Sequence, residues 1–160
     1  SLHDALPISR EFSQKELQPI TIDNDETREF PIDAYKKLGS MGMLGLPYSK
    51  EYGGSGGDYL SYVLAVEEVS KIHASLGIAY SVSVSLCAGG IFSSASEELK
   101  KKYLPDILSG KKLGSFGLTE PNAGSDASGA QTTALKDGDH YILNGSKCFI
   151  TNGPDRKSVV

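Results

Sequence analysis

Between Pro31 and Gly42 the apolar residues Ile32, Tyr35 and Leu38 recur three apart. With Pro31 in a first turn and Gly39 and Gly42 at its end, this spacing predicts a short amphipathic helix. Upstream, Phe12, Leu17, Ile20 and Ile22 are scattered among acidic and polar residues, and Pro19 interrupts them. That pattern predicts a helix giving way to a loop before Phe30. Asp58 follows Gly53, Gly54, Gly56 and Gly57 and suits an N-cap. The helix it opens is expected to bury Leu60, Val63, Leu64, Val66 and Ile72 and to expose Glu67, Glu68 and Lys71. From Ser81 to Leu86, Ser-Val-Ser-Val-Ser-Leu alternates as a half-buried strand does, so periodicity favours a strand over Ala79 to Ala88, although small residues also suit a tightly packed helix. Ser96 reads as an N-cap before Glu97 and Glu98, with Leu99 and Tyr103 one turn apart, and Pro105 is expected to end or kink that helix.

Past Gly110 the texture changes. Gln131 to Leu135, His140 to Leu143 and Cys148 to Thr151 are short β-like runs separated by Asp137-Gly138 and Asn144-Gly145, both hairpin dipeptides. The organisation is thus helical to about Lys112 and β thereafter, and about 40 residues of β are few for a complete sheet.

The 160 residues, 39% hydrophobic and 22% charged, have the balance of a globular chain. A net charge of −4, without a long single-sign block, argues against a nucleic-acid or anionic-membrane surface. No uninterrupted apolar run approaches the roughly 20 residues of a membrane span, and the first residues show neither a basic head nor a signal-like apolar core, so the chain is expected to be soluble and unexported. Cys87 and Cys148 are far apart, with no metal-like spacing of Cys or His, and read as buried thiols in a reducing compartment. Residues 1–8 (SLHDALPI) are, residue for residue, the translation of a common short-read sequencing adapter, and residues 155–160 (DRKSVV) that of its complementary partner. Both tails are therefore expected to lie outside the natural sequence, which would run from about Ser9 to about Pro154, and they carry no weight in reading the fold.

Two segments carry candidate chemistry. Phe116 to Asp126 (FGLTEPNAGSD) reads as a strand running into a turn dense in hydroxyls and exposed amides. Pro121 fixes a dihedral, Gly124 permits close backbone approach, and Thr119 and Ser125 offer donors and acceptors that need no ionisation. An ordinary Asx or β-turn has the same composition. In Lys147 to Gly153 (KCFITNG), strand alternation would put Phe149 and Thr151 on one face. A ring beside a hydroxyl suits a planar, hydrogen-bonding ligand such as an isoalloxazine; an ordinary half-buried strand also fits.

Taken together, FGLTEPNAGSD and Asn144 to Gly153 (NGSKCFITNG) resemble the paired flavin motifs of the acyl-CoA dehydrogenase family. Leu38 to Gly54 and Glu97 to Leu118 resemble that family's N-terminal helical domain, and the nearest flavour is the short-chain, butyryl-CoA-like branch. The resemblance implies an α+β arrangement: an all-α domain over residues 9–113, then the first strands of a β-barrel-like middle domain over residues 114–154, with the family's C-terminal four-helix bundle absent. It makes Ala79 to Ala88 helical, against the alternation. It implies FAD contacts from Phe116, Gly117, Leu118, Thr119, Glu120, Pro121, Asn122, Ala123, Gly124 and Ser125, with Thr119 near the pyrimidine end of the ring and Ser125 also touching acyl-CoA. Phe149, Ile150 and Thr151 would form the second flavin strand, Thr151 lying near the flavin N5. Many members carry Trp where this chain has Phe149.

The activity implied is α,β-dehydrogenation of an acyl-CoA in fatty-acid β-oxidation. It implies electrons passed to an electron-transferring flavoprotein, a homotetramer, and a location in the cytoplasm, or in the mitochondrial matrix of a eukaryote. The catalytic Glu would lie in the absent C-terminal domain, so that none of Glu51, Glu67, Glu68 or Glu120 takes its role and this chain alone is expected to be inactive. The alternative is a catalytically inactive remnant that binds flavin or acyl-CoA or mediates subunit contact. The Gly53 to Gly57 loop lacks the Gly-Lys-Ser/Thr ending of a P-loop. His73 and His140 are isolated, and the short runs Lys100 to Lys102 and Lys111-Lys112 suit solvated faces, or attraction to CoA phosphates or a partner flavoprotein.

Overall fold

A computed structural model describes residues 2–153, with side chains from Asp4 onward; the tail at 155–160 lies outside the described residues. Helix α1 (Leu2–Phe12) runs into a π-helical turn at Ser13–Leu17 and is followed by α2 (Thr21–Thr27) and α3 (Ile32–Ser40). Then come α4 (Tyr59–Ile72), α5 (Ala74–Ser81), a π-helical segment at Val82–Ala88, α6 (Gly89–Ser94) and α7 (Glu97–Leu108). A β-hairpin, β1 (Thr133–Asp137) and β2 (His140–Asn144), follows. The core lies in the helical part, where Leu17, Tyr35, Leu38, Leu44, Val69, Leu76, Tyr80, Val84, Leu104 and Ile107 are buried.

The caps and turns set by local chemistry follow the sequence. Asp58 accepts from the Ser61 amide at 2.7 Å to start α4, and Ser96 accepts from the Leu99 amide at 3.4 Å to start α7. Asp137 pairs with His140 across a two-residue loop in which Gly138 takes a φ of 61°, as a tight hairpin turn requires.

Several elements depart from the sequence pattern. Residues 74–94 form one continuous helical run, not a strand at 79–88. Ser83 and Val84 are adjacent and both buried, which an alternating strand does not allow, and Ser85 Oγ bonds back to the Ser81 carbonyl at 2.7 Å. This 21-residue run is also long and apolar enough to cross a membrane by length and composition, a property its serines hide from a search for uninterrupted apolar residues. Here its inner face packs against α4 and α7.

Helix α4 presents a different face from the one expected. Ser61, Tyr62, Ala65, Glu68 and Val69 are buried, while Leu60 is 56% and Val63 46% exposed. Ser61 and Ala65 are small enough for close packing on α1 and α5. Glu68 turns inward because Arg10 of α1 (Nε 2.8 Å) and Lys71 (Nζ 2.8 Å) neutralise it. These bonds, Arg10's foremost, hold the carboxylate at about 2.

The segment expected to be a loop after Ile20 is instead α2, a helix with no buried residue, tethered where Thr21 Oγ1 donates to the Ile72 carbonyl at 3.2 Å. Pro105 neither ends nor breaks α7. The helix ends at Leu108 with Ser109 as its C-cap, and Gly110, at a φ of 75°, turns the chain away while its amide donates to the Ile107 carbonyl.

In the β region, Cys148 to Thr151 is not a strand. Phe149 and Asn152 take φ of 57° and 64°, left-handed values that turn the chain. Asn144-Gly145 accordingly closes β2 without opening a second hairpin. Phe116 to Thr119 finds no ladder partner among the described residues, the one bridge nearby being Glu120 with Ala123. Cys87 is buried as expected, whereas Cys148 is half-buried in its turn.

Candidate functional site

The two motif segments meet. Phe116, Leu118 and Thr119 from the first, and Phe149, Ile150 and Thr151 from the second, line one cleft of about 240 Å³ whose remaining wall is Val82 and Leu86 of the π segment. A main-chain bond from the Cys148 amide to the Thr119 carbonyl (2.9 Å) joins the halves. Asn152 Nδ2 donates to the Gly114 carbonyl at 2.8 Å, and the Gly114 amide donates to Ser83 Oγ at 3.0 Å, so the second segment is tied to the helical core through Gly114, two residues before the first. The lining offers two hydroxyls, Thr119 and Thr151, among apolar walls, and Phe149 is 94% exposed at the rim. Such a surface suits a flat ring with polar edges.

The rest of the first motif lies outside this lining. Pro121, Asn122, Gly124 and Ser125 form an exposed loop, and Ala123 is buried beneath it. Gly117 backs onto the stem of Lys147, where a Cβ would stand 3.5 Å from Lys147 Cγ. Glu120 points away from the cleft and is 7% exposed. It accepts from Lys147 Nζ (2.8 Å) and from the Gln131 and Thr132 amides (2.6 and 3.0 Å). The Lys147 ammonium above all, then Thr132 and the Gln131 amide, hold it at about 2. A carboxylate pinned there is ionised at neutral pH and too weakly basic for proton abstraction.

A second, more apolar cleft of about 500 Å³ adjoins the first and shares Leu86 and Phe116 with it. Tyr48, Tyr59 and Phe92 line it, and Gly89 and Gly90 leave room at its floor. Tyr48 donates to the Val84 carbonyl inside the π segment at 2.5 Å, fixing one wall. Among the described residues no carboxylate lines either cleft. Val82 and Leu86 escaped the sequence reading because their alternation suggested a strand; their neighbours' small size was the available signal. Lys147 and Asn152, though inside the quoted motif, carried no spacing that told of their partners 27 and 38 residues away.

The sequence matches two family models: "Acyl-CoA dehydrogenase, N-terminal domain" over residues 8–111 and "Acyl-CoA dehydrogenase, middle domain" over residues 115–160. Over 144 residues it is 54% identical to the short-chain specific acyl-CoA dehydrogenase of Clostridium acetobutylicum, a match covering 90% of this chain and 38% of that protein. Among solved structures it resembles butyryl-CoA dehydrogenase from Megasphaera elsdenii, with a TM-score of 0.90 and 46% identity over 96% of this chain and 41% of the other. A chain in the structure of the electron transferring flavoprotein of Acidaminococcus fermentans gives 0.92 and 48%, over 95% of this chain and 40% of that one. An acyl-CoA dehydrogenase complexed with FAD from Bacillus anthracis gives 0.89 and 36%, over 96% and 26%. The chain thus spans about two fifths of the length of the first relatives it matches. With most of its length covered by that family's N-terminal model and its two motifs folded onto one cleft, the chain belongs to the acyl-CoA dehydrogenase family.

Proposed function

We propose that this chain carries the N-terminal domain and first middle-domain segments of an FAD-dependent enzyme that dehydrogenates a short-chain acyl-CoA to the trans-2-enoyl-CoA. The observation that carries the reading is the convergence of Phe116–Thr119 and Phe149–Thr151 on one cleft that opens beside a second, apolar one. When bound, FAD supplies the acceptor for the hydride that leaves the β-carbon. The residues present fit that group. Thr119 and Thr151 would offer hydroxyls to its polar edge, and Phe116, Leu118 and Phe149 would pack against its ring. Leu86 and Phe116, common to both clefts, would line the passage between the flavin and the acyl chain. Ser125 would meet the acyl-CoA from the exposed loop.

The α-proton requires a base, and among the described residues no carboxylate lines either cleft. Glu120 is held too acidic to serve, so the reading assigns the base to a carboxylate outside these residues and expects no turnover from the 160-residue chain alone. Its other parts are an electron-transferring flavoprotein as electron acceptor, a homotetramer, and a site in the cytoplasm or mitochondrial matrix. The Acidaminococcus neighbour supports the first of these. Residues 1–8 and 155–160 are taken as adapter-encoded, which a longer read of the template with adapters trimmed would check.

The test is to purify the full-length gene product carrying these residues, reconstitute it with FAD and add butyryl-CoA. Bleaching of the flavin band, with butyryl-CoA-dependent dye reduction, is expected. No flavin uptake, or uptake without reduction by any short-chain acyl-CoA, would overturn the reading.

A further inference from the structure

We propose that Lys147 is a positioning residue that sets the two halves of the flavin cleft in register from behind the ligand; the proposal rests on the flavin reading above. Lys147 belongs by its main chain to the second half, immediately before Cys148. Its ammonium reaches back to the first half, donating to the Leu118 carbonyl at 2.9 Å and to Glu120 Oε1 at 2.8 Å. These two acceptors flank Thr119, whose side chain lines the cleft, and the Thr119 carbonyl takes the neighbouring Cys148 amide. Thr119 is thus held on both sides and from below by residues 147 and 148.

Glu120 extends the clamp. The same carboxylate takes the amides of Gln131 and Thr132, where the chain enters β1, so three separated backbone segments converge on one buried acid. Lys147 itself does not line the flavin cleft. It faces the opposite side, with Thr132, Gly145 and Ile150 around a separate open cleft, and its side chain is 29% exposed. An ammonium suits this place because its three donors point in different directions, toward a carbonyl and a carboxylate at once. A neutral side chain would leave a buried carboxylate without its counter-charge.

The experiment is a double-mutant cycle on FAD affinity in the full-length gene product, measured by quenching of FAD fluorescence on the apoprotein, with the visible spectrum of the bound flavin recorded alongside. Lys147→Met is expected to weaken FAD binding by about tenfold to a hundredfold and to shift the flavin bands. Glu120→Gln should do likewise, the double variant should be no worse than either single one, and Lys147→Arg should recover part of the loss. Wild-type uptake of FAD together with an unaltered affinity and spectrum for Lys147→Met would overturn the proposal alone, as would effects of Lys147→Met and Glu120→Gln that simply multiply. If Lys147→Met loses its helical circular dichroism, Lys147→Arg and Glu120→Gln complete the same cycle, with multiplying effects again overturning the proposal. A wild-type protein that takes up no FAD would overturn the flavin reading, and the proposal with it.

Discussion

Ser83 serves two buried partners with one hydroxyl: Tyr35 OH lies 2.6 Å away and the Gly114 amide donates to it at 3.0 Å. Ser83→Ala removes the bond that each of these buried groups makes to it, and chemical denaturation should show a loss of about 1–3 kcal/mol. His73 makes a pH-dependent contribution. It is 4% exposed, and its Nδ1 accepts the Leu76 amide at 3.3 Å to cap α5, which requires an unprotonated Nδ1. Nε2 faces Asn24 Oδ1 at 3.4 Å, and Asp25 is the nearby charge. Burial holds the His73 pKa below 6.5, so the unfolded chain takes up the proton first. Stability from this group is complete above 6.5 and declines as the pH falls from there through the folded pKa. His73→Asn, which keeps a cap acceptor, should flatten the stability profile just below pH 6.5. Glu68 and Glu120, both held at about 2, contribute above 4.5 and are lost only in stronger acid, so their window is separate. The caps at Asp58 and Ser96 were legible because donor and acceptor lie three residues apart. The bond of Lys147 to Glu120 was not, because 27 residues separate them and no local rule brings them together.

Among the elements, the helices and the hairpin differ in what holds them. Every residue of β1 and β2 is exposed, and the pair has no third strand among the described residues. A two-stranded hairpin without a covered face is marginal in water. Hydrogen exchange of the 160-residue chain should therefore show the amides of 133–144 exchanging far faster than those of α4, α5 and α7. Protection equal to that of the helices would contradict this. The hairpin turn was readable because Asp137-Gly138 encodes its own geometry. The burial of α4 was not, since the most apolar face is the expected choice, whereas packing selected the small residues Ser61 and Ala65 and turned a neutralised Glu68 inward. In the run from Ala79 to Ala88 serine alternation imitated a strand, whereas the structure buries Tyr80, Ser83, Val84, Cys87 and Ala88 as one helical face and lets the Ser85 hydroxyl bond back to the Ser81 carbonyl.

Over the whole molecule, the core sits in the helical part while the two clefts open at its edge, surrounded by uncovered apolar residues. Leu60, Val63, Leu86, Phe92, Phe116 and Leu118 are each at least 38% exposed. Contiguous apolar surface of this kind recruits ligands or partners. The 160-residue chain should bind an apolar fluorescent dye strongly, and Leu60→Glu with Val63→Glu should reduce that signal without loss of helical circular dichroism. Dye binding unchanged by the pair would place the dye elsewhere. The family and both motifs could be recognised from sequence, yet the cleft they form depends on a helix that neither motif contains. That helix carries the π segment at Val82–Ala88, in which hydrogen bonds skip one residue further than in the flanking α-helix. Loss of a single codon there would restore the ordinary winding within the segment and leave the flanking turns in place, re-aiming Leu86 and its neighbours on the cleft wall while leaving every motif residue unchanged. A one-residue insertion or deletion is thus a genetic step by which descendants of this fold could exchange one ligand for another without altering the sequence signature by which they are recognised.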